Sequence, residues 1–356
     1  MYKCLTKDSK NYKKYWLNLP SLLYKKNENP QDYKTEKQIL EGTHPISCDI
    51  EVYPYVLINS ENKPVARCLL TYYPGDDNAY LGFFESENNI TAMREMILKV
   101  KSKAIEDKKK QIIGPVDASI YINYRFKNNL FDKTYTGEPY NKSYYPGLWE
   151  KVEFQICDKY SSYQLRKVEL SDNDERFEKL VSRFEKHGYQ FMNITPETFD
   201  KSINDIYPLL MNRYSGFAAY KELTKQQFLA LFSPMKKILN SDMAKVVYKD
   251  NELQAFCICV PNYGTATRGK LNIFKILKIN SIKKDPDEYV ILYLAANEKC
   301  FGLGGALIQM IKNELYKNQC NSIAGLIHEG NTSEKYYSEL HTEKFEYVLY
   351  SQPLPH

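Results

Sequence analysis

The chain reads as a layered α+β protein made of two similar halves. Three observations predict this. Each half carries a hairpin-like pair of strand runs, each continues into one long amphipathic helix, and two sequence patterns recur at nearly one spacing. At 356 residues the chain is long for one core and suits two domains of ordinary size. Hydrophobic residues at 43% supply a core, and charged residues at 26% mark a globular chain rather than a disordered one.

The first half opens on a helical region. Residues 55–58 and 65–70 then read as a hairpin around the polar turn Asn59-Ser-Glu-Asn62-Lys63. Leu81-Gly-Phe-Phe84 is a further strand. The spacing of Met93, Met96, Ile97 and Val100 predicts a helix over 91–109. Another strand follows, then a short helix led by Tyr144-Tyr145, and Phe154 opens a last strand. The second half repeats this order. Residues 244–248 and 253–260 form its hairpin, and the apolar run Val290-Ile-Leu-Tyr-Leu294 suits a central strand covered on both faces. A helix over 304–317 follows, with Leu307, Ile308, Met310, Ile311 and Leu315 as its buried face. Tyr336-Tyr337 leads a short helix, and Phe345 opens the last strand.

Two pairs of segments fix the repeat. The tyrosine pair at 144 returns at 336, an offset of 336 − 144 = 192, and Asn62 of the first turn aligns with Asn251 of the second, an offset of 251 − 62 = 189. A tandem duplication follows, with one domain expected over 1–162 and the other over 163–356.

Composition excludes several classes. No run approaches the roughly 20 apolar residues that span a bilayer. The first residues, Met1-Tyr-Lys-Cys-Leu-Thr-Lys-Asp8, hold no apolar segment of signal length, so a cytoplasmic protein is expected. A net charge of +5 is mild for this length and fits an anionic ligand, whereas DNA binding would call for a stronger basic face. The eight cysteines show no C-x-x-C spacing, and Cys257 and Cys259 suit one face of a strand core. The five histidines form no metal pattern, so free thiols and no metal are expected. The 31 tyrosines are given little functional weight, because tyrosine suits cores and surfaces alike.

The chemistry concentrates in one stretch. The strand at 290–294 runs into Lys299-Cys-Phe-Gly302-Leu303-Gly304-Gly305, and a helix begins there. A helix N-terminus carries free N–H groups and a partial positive charge. Glycines admit positive φ and a close approach to phosphate, and Lys299 adds a full charge beside it. Strand, glycine loop and helix together make a pyrophosphate cradle.

Lys299-x-x-Gly302-x-Gly304 resembles the Arg/Gln-x-x-Gly-x-Gly/Ala motif of the GNAT N-acyltransferases, with lysine in the first place. The resemblance continues into Glu329-Gly-Asn331-Thr-Ser-Glu-Lys-Tyr336-Tyr337, which is similar to the Asn-led helix and tyrosine that close that fold. The usual Gly-Phe after it is Lys344-Phe345 here, so the glycine is lost. In the first half, Leu81-Gly-Phe-Phe-Glu85, Gly114-Pro-Val-Asp-Ala-Ser119 and Tyr140-Asn-Lys-Ser-Tyr144-Tyr145 resemble tandem GNAT-like bacterial proteins. The similarities span most of the chain from about Tyr55. Where the second half has its glycine loop, the first continues Glu85-Ser-Glu-Asn-Asn-Ile-Thr91. It has no glycine there, and two glutamates would repel a pyrophosphate.

The resemblance implies two tandem GNAT-like domains, each a mixed, mostly antiparallel sheet flanked by helices. It implies transfer of an acyl group, acetyl first, from acyl-CoA to a small-molecule or peptide amine. One acyl-CoA site is expected in the second half, held by Lys299, Gly302, Leu303, Gly304 and Gly305. The first half is then a degenerate copy with an acceptor-side or structural role. A primary amine, of pKa about 10.4, must lose a proton before it attacks. The departing thiolate gains from a nearby acid, and Tyr337 or Tyr336 answers to the family's tyrosine, Tyr337 being favoured. The thioester carbonyl calls for an N–H donor at a splayed strand end, with Leu294 and Ala295 as candidates. Glu288, Glu329 and His328 are candidate bases, each set against a structural or surface role. Asn331 either holds the cofactor arm or caps its own helix. An aminoacyl-tRNA-dependent transferase of Fem type, which also pairs two such domains, is the first alternative, and a non-catalytic acyl-CoA-binding module the second. Pairing of the halves inside one chain would allow a monomer.

Overall fold

The computed structural model describes residues 2–172, 175–268, 272–336 and 338–355. In chain order the elements are β1 (Lys3–Leu5), α1 (Tyr12–Leu23), α2 (Tyr33–Glu41), β2 (Glu51–Ile58), β3 (Pro64–Tyr72), β4 (Asn78–Ser86), α3 (Ile90–Glu106), β5 (Gln111–Gly114), β6 (Phe126–Lys127), α4 (Tyr145–Glu150) and β7 (Gln155–Leu165). The second half adds α5 (Glu175–Lys186), β8 (Gln190–Asn193), α6 (Phe199–Tyr214), α7 (Lys225–Phe232), β9 (Ala244–Lys249), β10 (Glu252–Pro261), α8 (Ile273–Lys284), β11 (Glu288–Ala296), α9 (Leu303–Asn318), β12 (Asn321–His328) and β13 (His341–Pro353). The fold is mixed α+β with a mostly antiparallel sheet, as the sequence predicts.

Both hairpins form for a local reason. The aligned Asn62 and Asn251 both take positive φ, 57° and 64°, and Asp250 joins Asn251 at 50°. A tight hairpin whose twist matches its strands requires two consecutive left-handed residues, and here they link the paired Lys249 and Glu252. The long helices bury the predicted stripes: Met93, Met96, Ile97 and Val100 in α3, and Leu307, Ile308, Ile311 and Leu315 in α9, with Met310 only half-buried. The tyrosine-led helix is α4 in the first half but a single 3-10 turn, Ser338–Leu340, in the second. The sequence pattern missed α8, which carries no buried residue and exposes Ile273, Phe274 and Leu277. No described helix is long and apolar enough to cross a membrane.

Among the described residues the strands join one sheet in the order β1-β2-β3-β4-β5-β13-β7-β12-β11-β10-β9-β8, with β6 beside β13. The two halves exchange their last strands. β13, from the C-terminal half, pairs with β5 of the first half, while β7, from the first half, pairs with β12 of the second. β7 and β13 lie antiparallel at the middle of the sheet. The expected boundary at 162/163 falls near the end of β7. Among the described residues each half has one parallel pair, β4 with β5 and β11 with β12. Asn78 faces Gln111 and Glu288 faces Asn321, so both partners are displaced by one offset: 288 − 78 = 210 and 321 − 111 = 210.

Three apolar clusters fill the layers. One lies under α3 and α4 and includes Met93, Leu148 and Trp149; another lies under α9 and includes Cys257, Cys259, Leu307 and Ile311. The largest takes residues from both halves, among them Trp16, Leu69, Phe199, Phe256 and Tyr347. All eight cysteines are free thiols, and the buried Cys257 and Cys259 share one face of β10 with their sulfurs 3.9 Å apart.

Candidate active site

The site begins where two strands part. β11 and β12 run parallel from Glu288 with Asn321 as far as Ile291 with Ala324, and the pairing stops there. On its other side β11 stays on β10, with Leu292 as the extra residue of a bulge between Ile291 and Tyr293. β12 turns away at Leu326, whose φ is +57° and whose N–H bonds the Ser162 hydroxyl at 2.8 Å. The wedge opens on a cavity of about 230 Å³. Leu292, Tyr293 and Leu294 line one side, and Gly325, Leu326 and His328 the other.

Strand alternation assigns the backbone donors at this wedge. The Asn297 N–H donates to the Gln254 carbonyl on the β10 side at 2.7 Å. Successive N–H groups of a strand point to opposite edges, so Ala295 also faces β10, while Leu294 faces the open wedge. Of the two predicted donors, only Leu294 aims its N–H at the cavity.

The glycine loop follows β11 at this same, C-terminal end. Gly302 is the N-cap of α9, with φ +87°, and provides no side-chain cap for the helix N–H groups. Its conformation explains the glycine, because a side chain is strained there. The helix therefore presents uncapped N–H groups at Gly304 and Gly305, while the N–H of Leu303, also expected to hold the cofactor, donates to the Cys300 carbonyl at 3.1 Å. Lys299 and Phe301 are exposed at the loop, and the Asn297 side chain holds the Lys299 N–H at 3.1 Å. A Cβ on Gly304 would lie 3.2 Å from the Tyr336 hydroxyl. Tyr336 thus closes over the helix N-terminus, and the space above Gly304 is a cradle that a side chain would enter.

Tyr336 lines the cavity, and burial pushes its hydroxyl pKa up, so it is protonated at neutral pH. Tyr337, the favoured acid from sequence, lies outside the described residues. His328 lines the cavity with its Nε2 2.7 Å from Asp158 Oδ1, and Asp158 Oδ2 accepts from the Tyr160 hydroxyl at 2.7 Å. The His328 ring stands edge-on to Tyr160 and stacks on Phe217. Asn331 caps its own 3-10 turn, accepting from the Ser333 N–H at 2.9 Å, and also lines the cavity. Glu288 and Glu329 do not line it. Glu288 sits at the far end of β11, with one oxygen accepting from Gln164 Nε2 at 2.7 Å and the other from the Asn262 amide. Glu329 is exposed, and its backbone N–H bonds Lys159.

Sequence reasoning missed Asp158 and the residues of 120–125 that wall the cavity from the first half. Asp158 arrives on the exchanged strand β7, some 170 residues before its partner: 328 − 158 = 170. The neighbouring segment is fixed by hydrogen bonds across the halves, with the Thr136 hydroxyl donating to the Pro261 carbonyl at 3.2 Å and accepting from the Tyr263 N–H at 2.7 Å. Tyr124, Tyr160, Tyr214, Phe217 and Tyr293 form an aromatic wall, so part of the tyrosine content serves this site.

The matching place in the first half is closed. The Asn89 side chain caps α3, accepting from the N–H groups of Thr91 at 3.0 Å and Ala92 at 3.1 Å. Glu85 is buried there and accepts from the Tyr145 hydroxyl at 2.6 Å. A capped helix start beside a buried carboxyl offers nothing to a pyrophosphate.

No protein-family profile matches this chain, and no curated protein matches it in sequence. Solved structures match its fold. A tandem GNAT protein from the clavulanic acid biosynthesis pathway aligns over 99% of this chain and 98% of its own, with a TM-score of 0.54 and 11% identity. A GCN5-related N-acetyltransferase from Anabaena variabilis aligns over 99% of this chain and 72% of its own, with a TM-score of 0.52 and 8% identity. A GCN5-related glucosamine N-acetyltransferase region of a fungal multi-domain GH3 β-N-acetylglucosaminidase gives 0.52 at 11% identity, over 99% of this chain and 38% of that one. At these identities the shared property is the fold alone, and the match to the tandem GNAT protein runs the length of both chains.

Proposed function

We propose that this chain is an N-acyltransferase that moves an acyl group, acetyl first, from acyl-CoA to an amine. One observation carries the reading: the uncapped start of α9 meets the β11/β12 wedge, and the Tyr336 hydroxyl closes over Gly304. Acyl-CoA bound there supplies the activated thioester. The N–H groups of Gly304 and Gly305, with Lys299 at the rim, hold its pyrophosphate. Leu294 directs its N–H to the carbonyl oxygen, where charge develops. His328, held by Asp158, accepts the proton that the amine loses as its nitrogen bonds the carbonyl carbon. Tyr336 gives its proton to the sulfur as the carbon–sulfur bond breaks. In this reading residues 163–356 bind acyl-CoA, and residues 1–162 supply the acceptor wall and Asp158.

Tyr336→Phe tests the acid role. Steady-state kinetics of thiol release should show kcat lower by about 10²–10⁴-fold, the usual worth of general acid–base catalysis. Binding of acetyl-CoA should stay within about threefold of the wild-type value, since phenylalanine keeps the packing over Gly304. A variant with undiminished kcat would remove Tyr336 from the chemistry.

A further inference from the structure

We infer that the acceptor is an amino acid with a large apolar or aromatic side chain, and that Arg125 receives its carboxylate. The inference rests on the acyltransfer reading above and narrows it. Arg125 is 5% exposed and lines the central cavity. Its guanidinium carbon lies 3.7 Å from the centroid of Tyr124 and 4.1 Å from that of Tyr160, two rings that stand at 87° to each other. Both rings pack against the cation, but Nε and Nη1 are buried with no hydrogen-bond partner among the described residues. The backbone is pinned in the left-handed region at φ +69° by an N–H bond to the Pro115 carbonyl at 2.9 Å.

Other buried cations differ from it. Among the described residues Arg67 pairs with Glu36 at 2.7 Å, Lys127 with Glu138 at 2.6 Å, Lys245 with Glu314 at 3.8 Å and Lys312 with Glu339 at 3.7 Å. Arg125 alone among them has no carboxylate within ion-pair distance. A buried charge without a counter-charge is expensive, and a guanidinium is shaped to hold a carboxylate. Asp158 is already engaged by His328 and Tyr160, and Glu85, Asp117 and Glu138, which line a second cavity with Arg125, form no ion pair with it. The missing anion is therefore best supplied by a ligand.

The rest of the cavity describes that ligand. Arg125 and His328 both lie against Tyr160, one over its face and the other edge-on at 5.1 Å between centroids. A carboxylate on Arg125 and an amine facing His328 then belong to one short molecule. Tyr121, Tyr214, Phe217 and Tyr293 offer its side chain an aromatic surface.

Equilibrium binding of two product-like probes tests this without catalysis. N-acetyl-L-phenylalanine and N-acetylphenethylamine differ only by the carboxylate. Calorimetric titration of the full chain should show the first binding about tenfold tighter or more, the worth of a charged hydrogen-bonded pair. Arg125→Met should remove that difference and leave the thermal midpoint close to that of the wild type, because no ion pair is lost and the methionine keeps apolar contact with Tyr124 and Tyr160. Arg125→Lys should keep part of the difference, and it replaces the Met variant if that one does not fold. Equal binding of the two probes, binding of neither, or a difference that survives in Arg125→Met would overturn the proposal. The two readings fail separately. Acetylation of phenethylamine as readily as phenylalanine keeps acyl transfer and removes the carboxylate site. Carboxylate binding through Arg125 with no thiol release from acetyl-CoA does the reverse.

Discussion

Glu85 shows how a single side chain closes one half of the repeat. It is 8% exposed, and desolvation outweighs the attraction of Arg67, pushing its pKa up to about 7. In the unfolded chain a glutamate titrates at about 4.3. The folded protein therefore holds this proton more tightly than the unfolded one. Its contribution to stability is full below about pH 4 and is lost as pH rises through about 7. Glu85→Gln keeps an acceptor for the Tyr145 hydroxyl and removes the titration. Urea unfolding at pH 8 should find the variant more stable by on the order of 1–3 kcal/mol, with little difference at pH 4.5. A variant no more stable than wild type at pH 8 would contradict this. The sequence already showed that Glu85 stands where the other half has glycines. It could not show that the Tyr145 hydroxyl and Asn89 complete the closure, because those contacts depend on packing. His328 was legible only as a candidate for the same reason: Asp158, which orients it, comes from another part of the chain. Glu288 looked eligible on a strand leading to the loop, yet its oxygens are consumed by Gln164 and Asn262.

At the scale of elements, α3 and α9 are the same helix with opposite starts. Asn89 satisfies the N–H groups of Thr91 and Ala92 in α3, whereas Gly302 leaves those of Gly304 and Gly305 in α9 open. This difference was readable because caps are encoded in one or two adjacent residues. The hairpins were readable too, since residues with positive φ at the tips announce themselves as asparagine and aspartate. The wedge was only half legible. The apolar run 290–294 named the strand, but the Leu292 bulge and the left-handed Leu326 that part β11 from β12 leave no residue-type signature. Leucine at φ +57° is uncommon, and the bond of its N–H to Ser162 on β7 is what holds it there. The exposed apolar face of α8 breaks the helical stripe on which the sequence reading relied.

At the scale of the whole molecule, the exchange of β7 and β13 binds the halves into one structure. Neither half closes its sheet with its own last strand, and the largest core cluster draws on both. Unfolding one half would expose the edge and core of the other. Scanning calorimetry should therefore record one transition, with calorimetric and van't Hoff enthalpies in agreement. Two resolved transitions would contradict this coupling. The duplication was visible in sequence as two offsets, but strand exchange was not, because a swapped and an unswapped strand carry the same apolar pattern. The exchange also shapes the cavity wall, because β7 brings Asp158 to His328. The acyl transfer proposed at this wedge depends on the start of α9 receiving a pyrophosphate. Calorimetric titration of wild type and Gly304→Glu with acetyl-CoA tests that dependence directly. Wild type should bind in the range of about 1 μM to 1 mM, and affinity should fall by about tenfold or more when a carboxylate fills the cradle beneath Tyr336. Absence of wild-type binding, or equal affinity in a folded Gly304→Glu variant, would contradict it.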